Sequence, residues 1–191
     1  MILIIAGMAG VGKSTLAKFL AKEFNLTFLD GGDMMKEMAV EAGLKPTGDE
    51  WWETEEGMKF LEIRKSDSTF DKRLDKKLID KAEELNNVVM TSWAVPWLYD
   101  KGFKIYLKGT FNVRSKRISG RDSTQEQAVK EKVKERDERN IKHYKTLYGF
   151  NISADYEPFD LIINTDLFGI EEIKNILINI INKLKNEPQP L

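Results

Sequence analysis

The sequence contains no cysteine among its 191 residues, which excludes disulfides, thiolate metal ligands and a catalytic thiol. It has no excess of charge of either sign, because 30 lysines and arginines stand against 31 aspartates and glutamates. Overall charge therefore gives no reason to expect a nucleic acid or a membrane surface as a partner. The sequence also lacks an apolar run of the roughly 20 residues that a membrane-spanning helix needs. We expect a cytoplasmic monomer that binds neither nucleic acid nor membrane.

The apolar residues that are present, 41% of the chain, suffice for one hydrophobic core, and we expect residues 1–191 to form a single domain. Five short apolar segments have the pattern of strands covered on both faces, as in a parallel sheet between helices. Segments of helical character separate them. The sequence thus predicts an α/β fold of three layers with a five-stranded parallel sheet, whose strands lie near residues 2–6, 26–29, 88–90, 105–107 and 161–163.

A glycine-rich segment after the first predicted strand matches the phosphate-loop pattern of glycine, four residues, glycine, lysine, and serine or threonine. Its glycines allow backbone amides to turn toward phosphate oxygens, and the following helix N-terminus favours negative charge. We predict that Lys13 reaches the β- and γ-phosphates and that Ser14 ligates magnesium, while Thr15 supports the first helical turn or contacts the α-phosphate. We therefore expect a P-loop NTPase fold that binds ATP and Mg²⁺ through Gly7, Met8, Ala9, Gly10, Val11, Gly12, Lys13, Ser14 and Thr15.

Two charge-rich stretches interrupt the predicted core. Residues 33–84 are helical in tendency and are interpreted as a small inserted subdomain. Residues 114–148 indicate a helical hairpin that could close over a nucleotide and bring cations to a transferring phosphoryl group. A solvated charged face, paired with neighbouring acidic residues, is the alternative for any single cation. The hairpin carries arginines at helical spacing, namely Arg114, Arg117, Arg121, Arg136 and Arg139.

Four later segments form a more specific pattern than the phosphate loop, namely Ile105-Tyr-Leu-Lys, Val113-Arg-Ser-Lys-Arg-Ile118, His143-Tyr-Lys-Thr-Leu-Tyr-Gly149 and Asp160-Leu-Ile-Ile-Asn-Thr-Asp166. In order and spacing they resemble the archaeal type of cytidylate kinase, within the nucleoside monophosphate kinase family. The resemblance implies a five-stranded parallel core, a monophosphate-binding insertion over about 33–84 and a lid over about 114–140. By the same resemblance, Arg117, Arg121 and Arg136 are catalytic lid arginines near the transferring phosphate, and Thr165-Asp166 lies near the adenine of ATP.

The acceptor side departs from the family pattern. Family members usually have serine-alanine-glycine after the second strand and an arginine four residues beyond that glycine, whereas this sequence has Asp30-Gly31-Gly32 and Lys36. Lysine keeps the charge but lacks the bidentate fork of arginine. Where glutamate-glycine-arginine commonly follows the third strand, this sequence has Thr91-Ser92-Trp93, and His143 stands where an arginine is expected. All of these departures fall where the acceptor would be recognised.

We expect the acceptor to be bound near the ends of the second and third strands and by one helix, through Asp30, Gly32, Asp33, Lys36, Asp75, Ser92 and Trp93. Asp30 or Asp33 can orient a magnesium-bound water or an acceptor hydroxyl, because both follow a strand that ends at the edge of the phosphate loop. Capping of the next helix by Asp33 is the alternative. Ser92 can donate a hydrogen bond to a base or phosphate. Trp93 can stack on a base, and packing in the core is the alternative for this tryptophan.

Asp71 and Asp75 share one face of a predicted helix, and the resemblance places an acidic residue of this helix near the acceptor base. Solvated ion pairs explain the two carboxylates equally well, with Lys72, Arg73 or Lys76 as partners. His143 is expected at the surface or at a lid hinge, because phosphoryl transfer depends chiefly on positioning and charge and not on a general base.

These patterns favour an enzyme that transfers the terminal phosphoryl group of ATP to a nucleoside monophosphate, with CMP or dCMP as the first candidate. A kinase for another small acceptor, such as a different monophosphate, dephospho-coenzyme A or a metabolite alcohol, is one alternative. A nucleotide-dependent switch without a small-molecule acceptor is another. Acceptor-dependent formation of ADP separates the three hypotheses.

Overall fold

The computed structural model describes residues 1–48, 50–67, 69–122 and 126–186, without the side chains of residues 50, 121, 122 and 126. Within these ranges, five strands form one parallel sheet in the order β2-β3-β1-β4-β5. The predicted α/β architecture is thereby confirmed, and each strand lies within three residues of its predicted bounds. The strands are β1 (Ile2–Ala6), β2 (Thr27–Asp30), β3 (Val88–Thr91), β4 (Phe103–Lys108) and β5 (Leu161–Asn164).

Helices fill every connection between the strands. A short 3-10 helix (Glu50–Glu53) lies between the second and third α-helices. The α-helices are α1 (Lys13–Phe24), α2 (Gly31–Glu41), α3 (Glu55–Ser66), α4 (Thr69–Leu85), α5 (Val95–Leu98), α6 (Phe111–Asp122), α7 (Glu126–Tyr148) and α8 (Ile170–Asn186). Among the helices that the structure describes, none combines the length and the hydrophobicity that crossing a bilayer requires.

Alternate side chains of β1 point to opposite faces of the sheet and divide the core into two layers. Leu3 and Ile5 are fully buried in a cluster that includes side chains of α1 and α8. Ile4, on the opposite face, belongs to a cluster built from α2, α3 and α4, in which Trp51 and Phe60 are almost completely buried. The sheet is therefore covered on both faces, as the continuously apolar strands predicted.

Parallel pairing brings the carboxyl ends of β1, β2 and β3 to one edge of the sheet, because Ile5 and Asp30 are both in register with Thr91. The phosphate loop follows β1 at this edge. The elements between β2 and β3, from α2 to α4, begin from the same edge. The α6–α7 hairpin follows β4, which is the other neighbour of β1.

Candidate active site

The phosphate loop has a backbone that its glycines make possible. Gly7, Gly10 and Gly12 have φ angles of 140°, 81° and 96°, a range that L-residues with side chains rarely adopt. A Cβ atom at Gly7 would also lie 2.3 Å from the carbonyl oxygen of Leu107. Gly12 caps α1 without a side-chain hydrogen bond. The first N–H groups of α1 therefore have no side-chain cap, which suits them to an anionic ligand.

Lys13 lies with its ammonium group against the phosphate loop itself. Its Nζ donates to the carbonyl oxygens of Gly7 at 2.8 Å and Met8 at 3.1 Å, and it stands 5.4 Å from the centre of the Trp93 ring. Burial, followed by the positive charge of Arg136, lowers the pKa of Lys13 to about 7. An anion bound here would relieve both effects, which is what a triphosphate would supply.

One cavity of about 360 Å³ joins the phosphate loop to the insertion between β2 and β3. Its wall includes most of the residues that the sequence predicts to bind ATP or the acceptor. These are Ala9, Gly10, Gly12, Lys13, Ser14, Thr15, Asp30, Gly32, Asp33, Lys36, Asp75, Ser92, Trp93, Arg117 and Arg136. The side chains of Met8 and Val11, which also belong to the loop, are buried and do not line the cavity. The side chain of Arg121 lies outside the described part of the chain.

Thr165 and Asp166 do not line the cavity, but Thr165 is connected to it through Arg117. The Arg117 guanidinium donates to Thr165 Oγ1 at 3.0 Å and to the Thr165 carbonyl oxygen at 2.6 Å. Asp166 accepts from the Thr110 backbone N–H at 2.9 Å and thereby braces the turn between β4 and α6. The strand end at β5 thus orients one of the predicted lid arginines.

Arg114 shares its helix with Arg117 but is a buried structural residue. Its guanidinium donates to the Ala9 carbonyl oxygen at 2.9 Å and to Asp137 Oδ2 at 2.6 Å. It therefore ties the base of α6 to the phosphate loop and to α7. The hydrogen bonds of Arg114 all go to protein groups, and Arg114 does not line the cavity, unlike Arg117.

Arg136 reaches the cavity from α7, in contact with the insertion. Its Nη1 lies 2.5 Å from Glu53 Oε1 at the end of the 3-10 helix, and its guanidinium carbon lies 5.1 Å from the centre of the Trp52 ring. Arg139, one turn later, pairs instead with Glu62 and Glu135. The two arginines thus differ in whether they face the cavity.

Asp30, and not Asp33, caps the helix that follows β2. The Asp30 carboxylate accepts from the backbone N–H groups of Gly32 at 2.8 Å and Asp33 at 3.4 Å, and from Thr91 Oγ1 at 3.2 Å. The cap prediction for Asp33 is wrong because the helix begins at Gly31, two residues before that carboxylate. Asp33 lies instead in the first turn, where its side chain is 66% exposed and 3.8 Å from Lys36 Nζ.

Ser92 and Trp93 follow β3 and line the cavity, as the sequence predicted. Ser92 Oγ accepts from the backbone N–H groups of Ala94 and Val95, so it caps the short helix α5. Trp93 stacks on Tyr144 with ring centres 6.2 Å apart and an interplanar angle of 10°. The cavity therefore has an aromatic wall made by two distant parts of the chain.

Asp71 is completely buried, so its predicted solvated ion pairs do not form. It accepts hydrogen bonds from Arg64 Nη2 at 2.5 Å and from the Tyr144 hydroxyl at 2.9 Å, and it lies 2.8 Å from His143 Nε2. Burial tends to raise the pKa of Asp71, but the Arg64 guanidinium and the His143 contact hold that pKa well below its usual range. His143 is accordingly part of a polar network between α4 and α7 and not a surface residue.

Asp75 lies one turn after Asp71 and faces the cavity. Its Oδ2 accepts from the Tyr148 hydroxyl at 2.7 Å. Burial raises the pKa of Asp75 to about 7, although the Tyr148 hydrogen bond opposes the change. This part of the cavity wall therefore contains a carboxyl group whose pKa lies near neutral pH.

Sequence reasoning missed several polar residues that complete this wall, namely Glu53, Arg64, Asn140 and Tyr144. A signal existed for some of them. Asn140, Tyr144 and Tyr148 are spaced by four residues on α7, and Asp71 and Asp75 have the same spacing on α4. Two polar stripes of equal period can pair along facing helices, which the hydrogen bonds of these two helices show.

Residues 2–167 of the chain match the cytidylate kinase-like family. The cytidylate kinase of Methanosphaera stadtmanae is 33% identical to this chain over 185 residues, which cover 97% of this chain and 100% of that protein. The cytidylate kinase of Sulfurisphaera tokodaii is 31% identical to this chain over 182 residues, which cover 93% of each protein.

Solved structures show the same fold at lower identity. An uncharacterized protein from Eubacterium ventriosum has a TM-score of 0.67 at 17% identity, with 95% of this chain and 98% of that chain covered. Shikimate kinase from Aquifex aeolicus has a TM-score of 0.59 at 18% identity, with 97% and 99% covered. At such identities the likeness concerns the fold alone. The family match and the two relatives extend over nearly the whole sequence, and the chain belongs to the cytidylate kinase-like family.

Proposed function

We propose that this protein transfers the terminal phosphoryl group of ATP, with magnesium, to a nucleoside monophosphate, and that CMP or dCMP is the acceptor. One observation carries the proposal: a single cavity joins the phosphate loop to a buried pocket of acidic and aromatic side chains. A kinase needs this continuity, because donor and acceptor must meet in line. The names of the relatives, both cytidylate kinases, support the choice of acceptor.

On the donor side, the Lys13 ammonium exchanges the carbonyl oxygens of the loop for the β- and γ-phosphates. The Ser14 hydroxyl lines the same cavity as Asp30. The described residues include no cluster of three or more histidines and carboxylates suited to a metal. That composition fits Mg²⁺, which is commonly held by substrate phosphates and few protein groups. When bound, Mg²⁺ would neutralise phosphate charge, and Ser14 would be its protein ligand.

In the transfer, an oxygen of the acceptor phosphate bonds to the γ-phosphorus while the bond from that phosphorus to the β–γ bridging oxygen breaks. ADP leaves with the electron pair. Because the acceptor phosphate is already an anion, no general base is required. Arg117, Arg136 and Lys13 surround the cavity with positive charge and are proposed to stabilise the transferring group. Arg121 is proposed as a further lid arginine from the resemblance alone.

On the acceptor side, residues 33–84 are proposed as the monophosphate-binding insertion and 114–140 as the lid. Trp93, which stacks on Tyr144 and lines the cavity, is proposed to contact the base. Asp75 offers a buried carboxyl group to the polar edge of the base. Lys36 lines the same wall and is proposed to bind the acceptor phosphate. Thr165-Asp166 is proposed to lie near the adenine.

An acceptor screen tests this function. ATP and Mg²⁺ would be incubated with the protein and with CMP, dCMP, UMP, AMP, dephospho-coenzyme A or shikimate, and ADP release would be measured. We expect CMP or dCMP to give the highest kcat/KM. Turnover with dephospho-coenzyme A or an alcohol but not with a monophosphate would replace the acceptor assignment. ATP binding without any acceptor-dependent turnover would favour a nucleotide switch.

A further inference from the structure

Two ion pairs connect α3 and the preceding 3-10 helix to α7, and they differ in their surroundings. Glu53 pairs with Arg136, and Glu62 pairs with Arg139 one helical turn later. The side chains of Glu53 and Arg136 are only 9% and 13% exposed, and both residues line the cavity. The side chains of Glu62 and Arg139 are 51% and 33% exposed, and neither lines the cavity that contains the phosphate loop. The first pair is therefore in a position to affect the reaction.

Arg136 needs an external restraint to stay where it is. Its positive charge acts on Lys13, since it is the second largest cause of the lowered Lys13 pKa. Two like charges in a poorly solvated cavity repel each other, and an arginine side chain also loses rotamer freedom when it is fixed. Without a partner, Arg136 would move away from Lys13. The Glu53 carboxylate supplies the opposing charge.

Glu53 and Trp52 together fix the guanidinium in two respects. The Trp52 ring lies 5.1 Å from the guanidinium carbon and restricts the position of that group. The Glu53 carboxylate contacts Nη1 at 2.5 Å and restricts its rotation. A guanidinium has five N–H donors, so donors remain for phosphoryl oxygens after Glu53 is satisfied. The contact thus orients Arg136 and leaves it able to bind an anion.

We propose that Glu53 is a positioning residue for phosphoryl transfer, which holds the Arg136 guanidinium at the cavity that contains the phosphate loop. The inference rests on the proposed function and adds a residue to it. Because Glu53 belongs to the insertion and Arg136 to the hairpin, the contact makes the position of a lid arginine depend on the position of the acceptor-binding elements.

A double-mutant cycle tests this role by comparing Glu53→Ala, Arg136→Ala and the double variant. We expect Glu53→Ala to lower kcat about tenfold and Arg136→Ala about a hundredfold. The double variant should have the same kcat as Arg136→Ala alone, because the proposed effect of Glu53 on catalysis passes through Arg136. The KM values for ATP and CMP should stay within about threefold. Glu53→Gln keeps an acceptor oxygen and should recover part of the lost kcat.

Glu62→Ala is the matched control, because it removes the other ion pair between the same elements. Its kcat should stay within about twofold of wild type. Melting temperatures identify any variant that is simply unfolded, in which case Glu53→Gln decides the question. The positioning role is excluded if Glu62→Ala lowers kcat as much as Glu53→Ala does. It is also excluded if adding Glu53→Ala to the Arg136→Ala variant lowers kcat a further tenfold.

A second measurement tests the role of Glu53 independently of which acceptor the enzyme uses. Binding of ATP and ADP is compared without acceptor, since only ATP carries the γ-phosphate. We expect Glu53→Ala and Arg136→Ala each to reduce the preference for ATP over ADP about threefold, with no change for Glu62→Ala. If this result appears while CMP gives no turnover, the acceptor assignment fails and the role of Glu53 stands. If CMP turnover is normal in Glu53→Ala and the preference is unchanged, the role of Glu53 fails.

Discussion

The two halves of the cavity, proposed to bind the donor and the acceptor, are built in different ways. The donor half is built around one continuous loop from Gly7 to Ser14, whose main features are its backbone geometry and the ammonium group of Lys13. The acceptor half depends on side chains that meet across more than 70 residues, such as Asp71 with Tyr144 and Asp75 with Tyr148. A backbone motif tolerates changes around it, whereas a side-chain network depends on each of its members. Mutations in one half should therefore change the binding or catalysis of that half and leave the other half unchanged.

The halves share one electrostatic property. Lys13 on the donor side and Asp75 on the acceptor side both have a pKa of about 7, lowered for the lysine and raised for the carboxyl group. Burial is the largest cause in both cases. Each half therefore disfavours the charged form of its own ionisable group until a ligand compensates it, which is a common property of functional sites.

Lys13→Ala should lower the rate of turnover more than any other variant, and its effect should be limited to the donor half. We expect turnover to fall about 1000-fold, because the variant removes the cation held against the β- and γ-phosphates. Initial rates of ADP formation measure the loss. Lys22→Ala removes the same charge from the last turn of the same helix and should leave the rate unchanged. Activity above about a tenth of normal in Lys13→Ala would contradict the role of the phosphate loop.

Arg117→Ala should rank second and should affect catalysis more than binding. Its contacts with Thr165 orient the guanidinium at the cavity wall, and its interaction should strengthen as charge moves during transfer. We expect kcat to fall about 100-fold while the KM for ATP changes by less than about threefold. The neighbouring exposed Lys116→Ala provides the control. A change in KM alone would show that Arg117 binds ground-state ATP.

Asp75→Asn should affect the acceptor half alone. The variant keeps the shape of the side chain and the Tyr148 hydrogen bond but removes the negative charge at the cavity wall. We expect the KM for CMP to rise about tenfold, with ATP affinity unchanged within about twofold. Steady-state kinetics at varied CMP, together with ATP titration, measure the two quantities. An equal loss of ATP affinity would mean that the two halves are not independent.

The donor half was predictable from the sequence because its signal is local. Five apolar segments indicated the strands, and the spacing of Gly7, Gly12 and Lys13 determines the loop in any fold that places it between a strand and a helix. Predicted residues around it, such as Ser14 and Thr15, consequently line the cavity.

The acceptor half was less predictable because burial decides what a charged side chain does. Asp71 and Asp75 share a helix face in the sequence, but only tertiary packing shows that the face meets Arg64, Tyr144 and Tyr148. The same applies in the hairpin, where Arg114 and Arg117 have helical spacing and yet only Arg114 is enclosed by protein acceptors. Small errors in helix bounds mattered too. A start at Gly31 transferred the capping role from Asp33 to Asp30.

The shared electrostatic property makes opposite predictions for stability in the two halves. Asp75 has a pKa of about 7 when folded and about 3.9 when unfolded. Between these values the folded chain holds more protons, so this group lowers the free energy of unfolding as the pH rises from about 4 to 7. Lys13 has a pKa of about 7 when folded and about 10.4 when unfolded. Its contribution to the free energy of unfolding therefore rises from about pH 7 to 10.

The smallest expected effect is therefore a gain of stability in the ligand-free protein. Asp75→Asn should raise the Tm at pH 8 by about 4 °C and leave it unchanged at pH 4, where the wild-type carboxyl group is already protonated in the fold. Lys13→Met should raise the Tm at pH 7 but not near pH 10. Asp80→Asn, on the exposed face of the same helix as Asp75, should show no such pattern. Equal stabilisation of Asp75→Asn at pH 4 and pH 8 would mean that the gain comes from packing and not from the buried charge, and the symmetry between the two halves would then be lost.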